Sequence, residues 1–75
     1  MYRITLTTPK DDKIINEEFT KIDNAVVYIN ETLFSGIPVL TTNVLSNIIN
    51  RPERVNSTYT TFIKASRYTP IRVTT

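Results

Sequence analysis

The sequence contains no cysteine and no histidine, and these absences exclude several functions at once. Without cysteine the chain forms no disulfides, and without either residue it lacks the usual ligands of a zinc site. The single glycine rules out a glycine-rich phosphate loop, and no serine or threonine stands beside a recognisable base. The adjacent carboxylates Glu17 and Glu18 would point to opposite faces of a strand. We therefore expect no catalytic site, no metal site and no cofactor.

Long apolar runs are also missing. No stretch approaches the roughly 20 apolar residues that span a bilayer. Apolar and polar residues alternate at the N-terminus, and four charged residues follow at positions 10–13. This is not the pattern of a signal peptide. A cytoplasmic protein is the expectation. Enrichment in Ile and Asn is common in proteins of A/T-rich genomes such as those of many phages, in which case the location would be the host cytoplasm.

The 75 residues predict a single small domain. A chain of this size buries only about 60% of the surface that its unfolded form exposes. Without disulfides or metal, its stability must come from good packing or from a partner subunit.

Basic and acidic residues are unevenly divided between the two halves. Residues 1–37 contain four basic and six acidic side chains, whereas residues 38–75 contain five basic side chains and one acid. The net charges are thus −2 and +4. Such asymmetry can mark a nucleic-acid surface, or it can be ordinary surface charge. The five basic residues are Arg51, Arg54, Lys64, Arg67 and Arg72.

The N-terminal segment predicts an antiparallel β-hairpin. Tyr2, Ile4 and Leu6 alternate with polar residues, which is the period of a half-buried strand over residues 2–8. Pro9 and the polar residues 10–13 form a turn, and residues 14–20 read as the second strand.

Two helices follow, joined at residues 35–38. For the first, Asp23 is the expected N-cap, Ile22 and Val27 a hydrophobic staple, and Gly36 the left-handed residue past the end. The apolar stripe that defines this helix is Ile22, Val26, Ile29 and Leu33.

The second helix has matching signals. Thr41 or Thr42 is the expected N-cap, Leu40 and Leu45 form a staple if Thr41 is the cap, and Pro52 stops the helix near residue 50. Its opposite face is polar but almost uncharged, and consists of Asn43, Ser46, Asn47, Asn50 and Arg51.

The C-terminal segment is ambiguous. Positions 59, 62, 63 and 66 have helical spacing, with Ser57 as the N-cap, whereas positions 59, 61, 63 and 65 alternate as in a strand. We prefer a helix over residues 58–66 and leave the strand open. Residues 67–73 would then form a closing edge strand, where Pro70 is tolerated. The predicted fold class is α+β: an N-terminal hairpin packed against two or three short helices, with a C-terminal edge strand.

The leading functional hypothesis is DNA binding with a regulatory outcome. Asparagine can bind adenine through two hydrogen bonds in the major groove, and serine or arginine can reach phosphate or guanine. The candidate contacts are Asn43, Ser46, Asn47, Asn50 and Arg51 on the second helix, with Arg54, Lys64, Arg67 and Arg72 neutralising phosphates around it. Two amphipathic helices that simply pack on a sheet would give the same pattern.

A family resemblance supports the same hypothesis. The segment Phe19-Thr20-Lys21-Ile22-Asp23-Asn24-Ala25, followed by a turn and a threonine-capped helix, resembles the helix-turn-helix modules attached to phage intron-homing endonucleases. Those modules run Phe-x-Ser-Ile-x-x-Ala before a DNA-reading second helix. The likeness covers about half the chain and implies that the second helix reads DNA. The connection over residues 34–40 is longer than the turn of that family.

The alternative is a protein-interaction module without nucleic-acid binding, such as a phage inhibitor of a host enzyme or a homodimeric accessory protein. Tyrosine is enriched in binding hot spots, and the candidates are Tyr2, Tyr28, Tyr59 and Tyr68. Each could instead pack in the core with its hydroxyl at the surface, which we prefer for Tyr28. An unpaired strand over residues 68–73 could add to the sheet of a partner or form a homodimer.

Overall fold

A three-stranded antiparallel sheet forms one layer of the computed structural model, which describes residues 1–69. Strands β1 (Tyr2–Thr7), β2 (Ile14–Phe19) and β3 (Ile63–Arg67) lie in the order β2-β1-β3. The central strand pairs with both neighbours, from Tyr2 opposite Phe19 and Arg67 to Leu6 opposite Ile15 and Ile63. The predicted N-terminal hairpin is confirmed.

Three helices cover one face of this sheet. They are α1 (Ile22–Leu33), α2 (Thr42–Asn50) and α3 (Ser57–Phe62), and a short 3-10 turn over Pro52–Arg54 joins α2 to α3. α1 packs on β1 and β2, whereas α2 packs on α1 and β3. The α+β fold predicted from the sequence is confirmed, including a strand that follows the helices.

The core lies between the sheet and the helices. Its buried members from the sheet are Ile4, Leu6 and Ile63, and the helices and the connection between them supply Ala25, Val26, Ile29, Leu40, Leu45 and Ile48. Because strand side chains alternate between faces, the residues between those sheet positions point away from the helices. The second sheet face therefore carries polar side chains, among them Arg3, Asn16, Glu18, Lys64 and Ser66.

The start of α1 differs from the prediction. Lys21 occupies the N-cap position without a side-chain hydrogen bond, and Asp23 lies within the first turn instead of capping it. The expected staple is also absent, because Ile22 is already helical and Val27, five residues on, is 56% exposed. Five residues turn a helix by about 140° beyond a full turn, so the two side chains diverge. Gly36 has a φ of +85°, as predicted, and Ser35 before it also has a positive φ, +54°.

The limits of α2 follow the prediction. Thr41 is the N-cap, and its hydroxyl accepts a hydrogen bond from the backbone N–H of Val44 at 3.2 Å. Leu40 and Leu45, the expected staple pair, are both buried. The helix ends at Asn50, two residues before Pro52.

The ambiguous C-terminal segment contains both candidate structures. Residues 57–62 are helical, and the strand begins at Ile63, so the helix predicted over 58–66 is too long by four residues. Asn56 rather than Ser57 caps this helix, accepting from the N–H of Thr58 at 2.9 Å. The chain turns into a strand at Ile63 because β1 offers its second edge there. Of the predicted strand over 67–73, Arg67 ends β3 and Tyr68 still bonds the backbone of Met1, while residues 70–73 lie outside the described part.

Candidate nucleic-acid interface

α2 is held by an apolar stripe and by one buried polar side chain. Leu45 and Ile48 are buried against α1 and β3. Just before the helix, the side chain of Asn30 on α1 donates from Nδ2 to the carbonyl of Leu40 at 3.0 Å and accepts at Oδ1 from the N–H of Leu40 at 2.8 Å. Asn30 is only 7% exposed, so these bonds are shielded from water. The entry into α2 is thereby fixed relative to α1.

Sequence reasoning missed this role of Asn30. The available signal was its position four residues after Val26 and three before Leu33, on the inward stripe of α1. A polar residue on such a stripe needs a buried partner, because an unsatisfied polar group in a core costs free energy. The partner itself was not readable, since it is a backbone group ten residues away.

The outward face of α2 carries the predicted amides. Asn43, Asn47 and Asn50 are exposed and Ser46 is half-buried, and these residues recur at helical spacing. Asn43 and Asn50 are seven residues apart, which is about 10 Å along the helix axis at 1.5 Å per residue. The Asn50 amide donates to the Ser46 hydroxyl at 3.4 Å. Within residues 1–69, the side chains of Asn43 and Asn47 make no hydrogen bond.

Two arginines follow the C-terminal end of this face. Arg51 is the C-cap of α2, Arg54 lies in the 3-10 turn, and both are exposed. Among the described residues the one ion pair joins Arg3 to Glu18, so neither Arg51 nor Arg54 is paired with a carboxylate there. Cations near a helix C-terminus also interact favourably with its dipole.

The opposite end of α2 is acidic. The hydroxyl of Thr42, the first residue of the helix, donates to a carboxylate oxygen of Asp23 at 3.4 Å. The surface along α2 therefore runs from a carboxylate at its N-terminal end, across uncharged amides, to two arginines at its C-terminal end.

The structure places two of the remaining basic candidates, Lys64 and Arg67, on the sheet. Lys64 alternates with Ile63 and Ala65 and lies opposite Thr5, on the sheet face away from the helices. Arg67 ends β3, with its guanidinium carbon 5.9 Å from the ring centroid of Tyr2. Arg72 lies outside the described residues.

The polar sheet face carries a cluster of Arg3 on β1, Glu18 on β2 and Tyr68, the residue after β3. The guanidinium of Arg3 lies 3.3 Å from a Glu18 carboxylate oxygen, and its carbon is 4.8 Å from the ring centroid of Tyr68. A hydrogen bond from the Tyr68 hydroxyl, and then the Arg3 guanidinium, lowers the pKa of Glu18. The same hydrogen bond raises the pKa of Tyr68. Sequence reasoning missed this cluster, because it depends on the register of both strand pairs.

An apolar cavity of about 370 Å³ opens beside α3. Val39, which is 40% exposed, forms part of its wall, and Ile37 in the same connection is 61% exposed. The other apolar walls are Pro9, Leu33, Phe34, Tyr59, Phe62 and Ile63. Four separate segments of the chain meet here, so the sequence contained no local signal for it.

The four tyrosines are half-buried, and most contact the protein itself. Tyr28 packs against Phe19 with ring centroids 5.3 Å apart. Tyr2 and Tyr68 lie against arginine guanidinium groups, as described above. Tyr59 lines the apolar cavity.

Within residues 1–69, no three acidic side chains lie close enough together to hold a metal ion. In the same part of the chain, no helix is long and apolar enough to cross a membrane. No protein-family model matches the chain, and no curated protein or solved structure matches it either.

Proposed function

We propose that this chain is a small phage-type DNA-binding protein with a regulatory role, and that α2 with Arg51 and Arg54 contacts the duplex. One observation carries the proposal. A firmly packed helix presents a row of exposed, uncharged amides that ends in two arginines without carboxylate partners among residues 1–69. A helix face that merely meets solvent is usually rich in charged residues.

The dimensions of this face suit the major groove. The groove is about 12 Å wide and admits an α-helix, and side-chain amides can read the edges of its bases. The row from Asn43 to Asn50 is about 10 Å long, close to three base-pair steps of about 3.4 Å. Thr41 and the buried Asn30 hold the start of the helix in place, so little backbone ordering is needed when DNA binds.

The arginines supply the charge that duplex DNA requires. Contacts to phosphates provide most of the non-specific affinity of DNA-binding proteins and fix their register. Arg51 and Arg54 flank the amide row at one end, where they can reach the backbone beside the groove. Glu53 lies between them and reduces the local net charge to +1.

Mapping by NMR tests the location of this surface. A ¹⁵N-labelled sample is titrated with a short mixed-sequence duplex at low salt, and amide shifts are followed residue by residue. We expect the perturbed amides to cluster at positions 43–54. The polar sheet face, marked by Arg3 and Lys64, serves as the internal control. Shifts that concentrate on that sheet face, or a spectrum that does not change, would overturn the proposal.

A protein partner is the second candidate, favoured by the apolar cavity and the exposed residues Ile37 and Val39 beside it. Exposed apolar patches on small proteins often mark interaction sites. Such a partner would be a host enzyme that the protein inhibits or a second copy of the chain. Pull-downs with wild-type protein and with Val39→Asp as matched baits, combined with sedimentation of each protein alone, test this function. A host protein or a dimer that is lost in the variant would support it, and identical behaviour of both proteins would refute it.

A further inference from the structure

The asparagines of this chain differ in what their side-chain amides already bind. Asn30 uses its donor and its acceptor on the backbone of Leu40. Asn16 accepts from the Thr5 hydroxyl. Asn56 caps α3, and the Asn50 amide donates to the Ser46 hydroxyl on the same helix.

The amides of Asn24 on α1 and of Asn43 and Asn47 on α2 have no partner within residues 1–69, and of these three only Asn43 and Asn47 share a helix. They lie one helical turn apart on the exposed face of α2, so both amides can meet the same ligand.

We infer that Asn43 and Asn47 read adenine bases in the major groove, so that the protein prefers A·T over G·C sites; this inference rests on the proposed DNA-binding function. A free carboxamide offers one acceptor and two donors on a planar group. Adenine presents an acceptor, N7, beside a donor, the N6 amine, which the amide matches with two hydrogen bonds. Guanine presents two acceptors there, N7 and O6. Both donors of the amide are on one nitrogen and point apart, so the amide pairs with one acceptor while its oxygen faces the other.

The composition of α2 supports the preference. Guanine is most often read by two hydrogen bonds from arginine or lysine, and α2 contains no charged residue. Arg51, the nearest cation, is the C-cap and lies past the end of the amide row. The side chains of this face therefore match the hydrogen-bonding groups of adenine and not those of guanine.

The spacing limits how far apart the two bases can be. Four residues advance a helix by about 6 Å, close to two base-pair steps of about 3.4 Å. Asn43 and Asn47 thus reach bases on one or two neighbouring steps when the axis of α2 follows the groove.

The charges at the two ends of α2 determine how the helix is oriented relative to the DNA backbone. The carboxylate of Asp23 lies beside Thr42 at the N-terminal end, where it repels phosphate. Arg51 and Arg54 attract phosphate at the C-terminal end. The C-terminal end of α2 therefore lies nearer to the DNA backbone, with Asn47 closer to it than Asn43.

Three labelled duplexes of equal length test the inference by fluorescence anisotropy at constant salt: alternating A·T, alternating G·C, and the A·T duplex with 7-deazaadenine. The last keeps Watson–Crick pairing and the N6 amine but lacks the N7 acceptor. We expect the A·T duplex to bind more tightly than the other two, by roughly 5- to 150-fold for each amide pair that forms. Asn43→Ala and Asn47→Ala should each reduce this preference, while Asn16→Ala on the polar sheet face should keep it.

The outcomes separate this inference from the proposed function. Equal, salt-dependent binding to all three duplexes would overturn adenine reading and leave DNA binding intact. No binding to any duplex at low salt would overturn both. Thermal unfolding followed by circular dichroism checks that each variant is folded; if an alanine variant is not folded, the comparison of the three duplexes with wild-type protein still decides the inference.

Discussion

At the scale of single residues, Asn30 has the clearest structural role. It is buried, and it satisfies both backbone groups of Leu40, which is itself buried. Buried backbone groups need such partners, because water cannot replace them. One side chain thus ties the connection over residues 34–41 to α1 and aligns the start of α2.

We expect Asn30→Ala to lower the free energy of unfolding by about 2–6 kcal/mol, because it leaves the buried N–H and C=O of Leu40 without partners, at about 1–3 kcal/mol for each group. Chemical denaturation measures the loss. Asn24→Ala, an exposed asparagine on the same helix, is the matched control and should change stability by no more than about 0.5 kcal/mol. Equal losses in the two variants would contradict this role of Asn30.

Glu18 gives a prediction about pH. Its pKa is lowered first by the hydrogen bond from Tyr68 and then by Arg3. A lowered folded-state pKa means that the carboxylate stabilises the fold above its unfolded pKa of about 4.3 and that this contribution is lost as the pH falls through the folded value. Because the group is exposed, the contribution to stability is small.

We therefore expect Tyr68→Phe, which removes only the hydroxyl, to raise the pKa of Glu18 toward its ordinary value. An NMR titration of the Glu18 side-chain carboxyl between about pH 2 and about pH 7 spans the unfolded value and measures the change. Tyr59→Phe, on the wall of the apolar cavity, should leave the pKa of Glu18 as low as in the wild type. An unchanged Glu18 titration in Tyr68→Phe would show that the hydroxyl does not act on this carboxylate.

At the scale of secondary structure, the helices begin in different ways. α2 has a threonine cap whose hydroxyl bonds the N–H of Val44, whereas Lys21 gives α1 no side-chain cap. Asp23 in the first turn of α1 compensates for the missing side-chain cap, because its carboxylate interacts favourably with the helix N-terminus. The position of α2 therefore depends more on its own cap than that of α1 does.

We expect Thr41→Ala to cost about 1 kcal/mol of stability, because an N–H in the first turn of α2 loses its acceptor. Denaturation curves measure the change. Thr42→Ala is the control: its hydroxyl makes only a long, exposed hydrogen bond to Asp23, so its loss should cost less. A larger effect at Thr42 than at Thr41 would mean that the contact with Asp23, and not the cap, fixes the start of the helix.

Local signals explain which elements the sequence predicts well. The alternation in β1, the turn at residues 8–13, the threonine cap and Pro52 each act within a few residues, so the hairpin and α2 were predicted correctly. The end of α3 was not, because Ile63 leaves the helix to pair with Leu6, a partner 57 positions away in sequence. No pattern within a few residues of Ile63 indicates this distant pairing.

The candidate site also contains residues that local patterns predict and residues whose positions depend on distant contacts. The amide face of α2 follows from helical periodicity alone, and the structure leaves its three asparagines exposed. Sequence reasoning grouped Lys64 with this face, whereas it lies on the sheet face away from the helices. The direction of its side chain depends on the register of β3, which pairing with β1 determines. The apolar cavity and the Arg3–Glu18–Tyr68 cluster likewise depend on contacts between distant segments.

At the scale of the whole molecule, the four basic residues of the second half that the structure describes do not lie on one surface. Arg51 and Arg54 lie beside α2, Lys64 lies on the opposite sheet face, and Arg67 stacks near Tyr2. A binding surface built on α2 therefore draws on two cations from the described residues, which suits modest non-specific affinity with the amides adding selectivity.

The salt dependence of DNA binding tests this account most directly. The affinity of a labelled duplex is measured between about 50 and about 200 mM salt for wild-type protein, for Arg51→Ala/Arg54→Ala, and for the charge-matched control Lys10→Ala/Lys13→Ala in the hairpin turn. Each phosphate contact contributes about 0.9 to the slope of log affinity against log salt. We expect the arginine variant to bind more weakly, with a slope shallower by about 2, and the lysine variant to keep the wild-type slope. Equal slopes in all three proteins, or no binding at the lowest salt, would contradict the assignment of α2 and its two arginines as a DNA-binding surface.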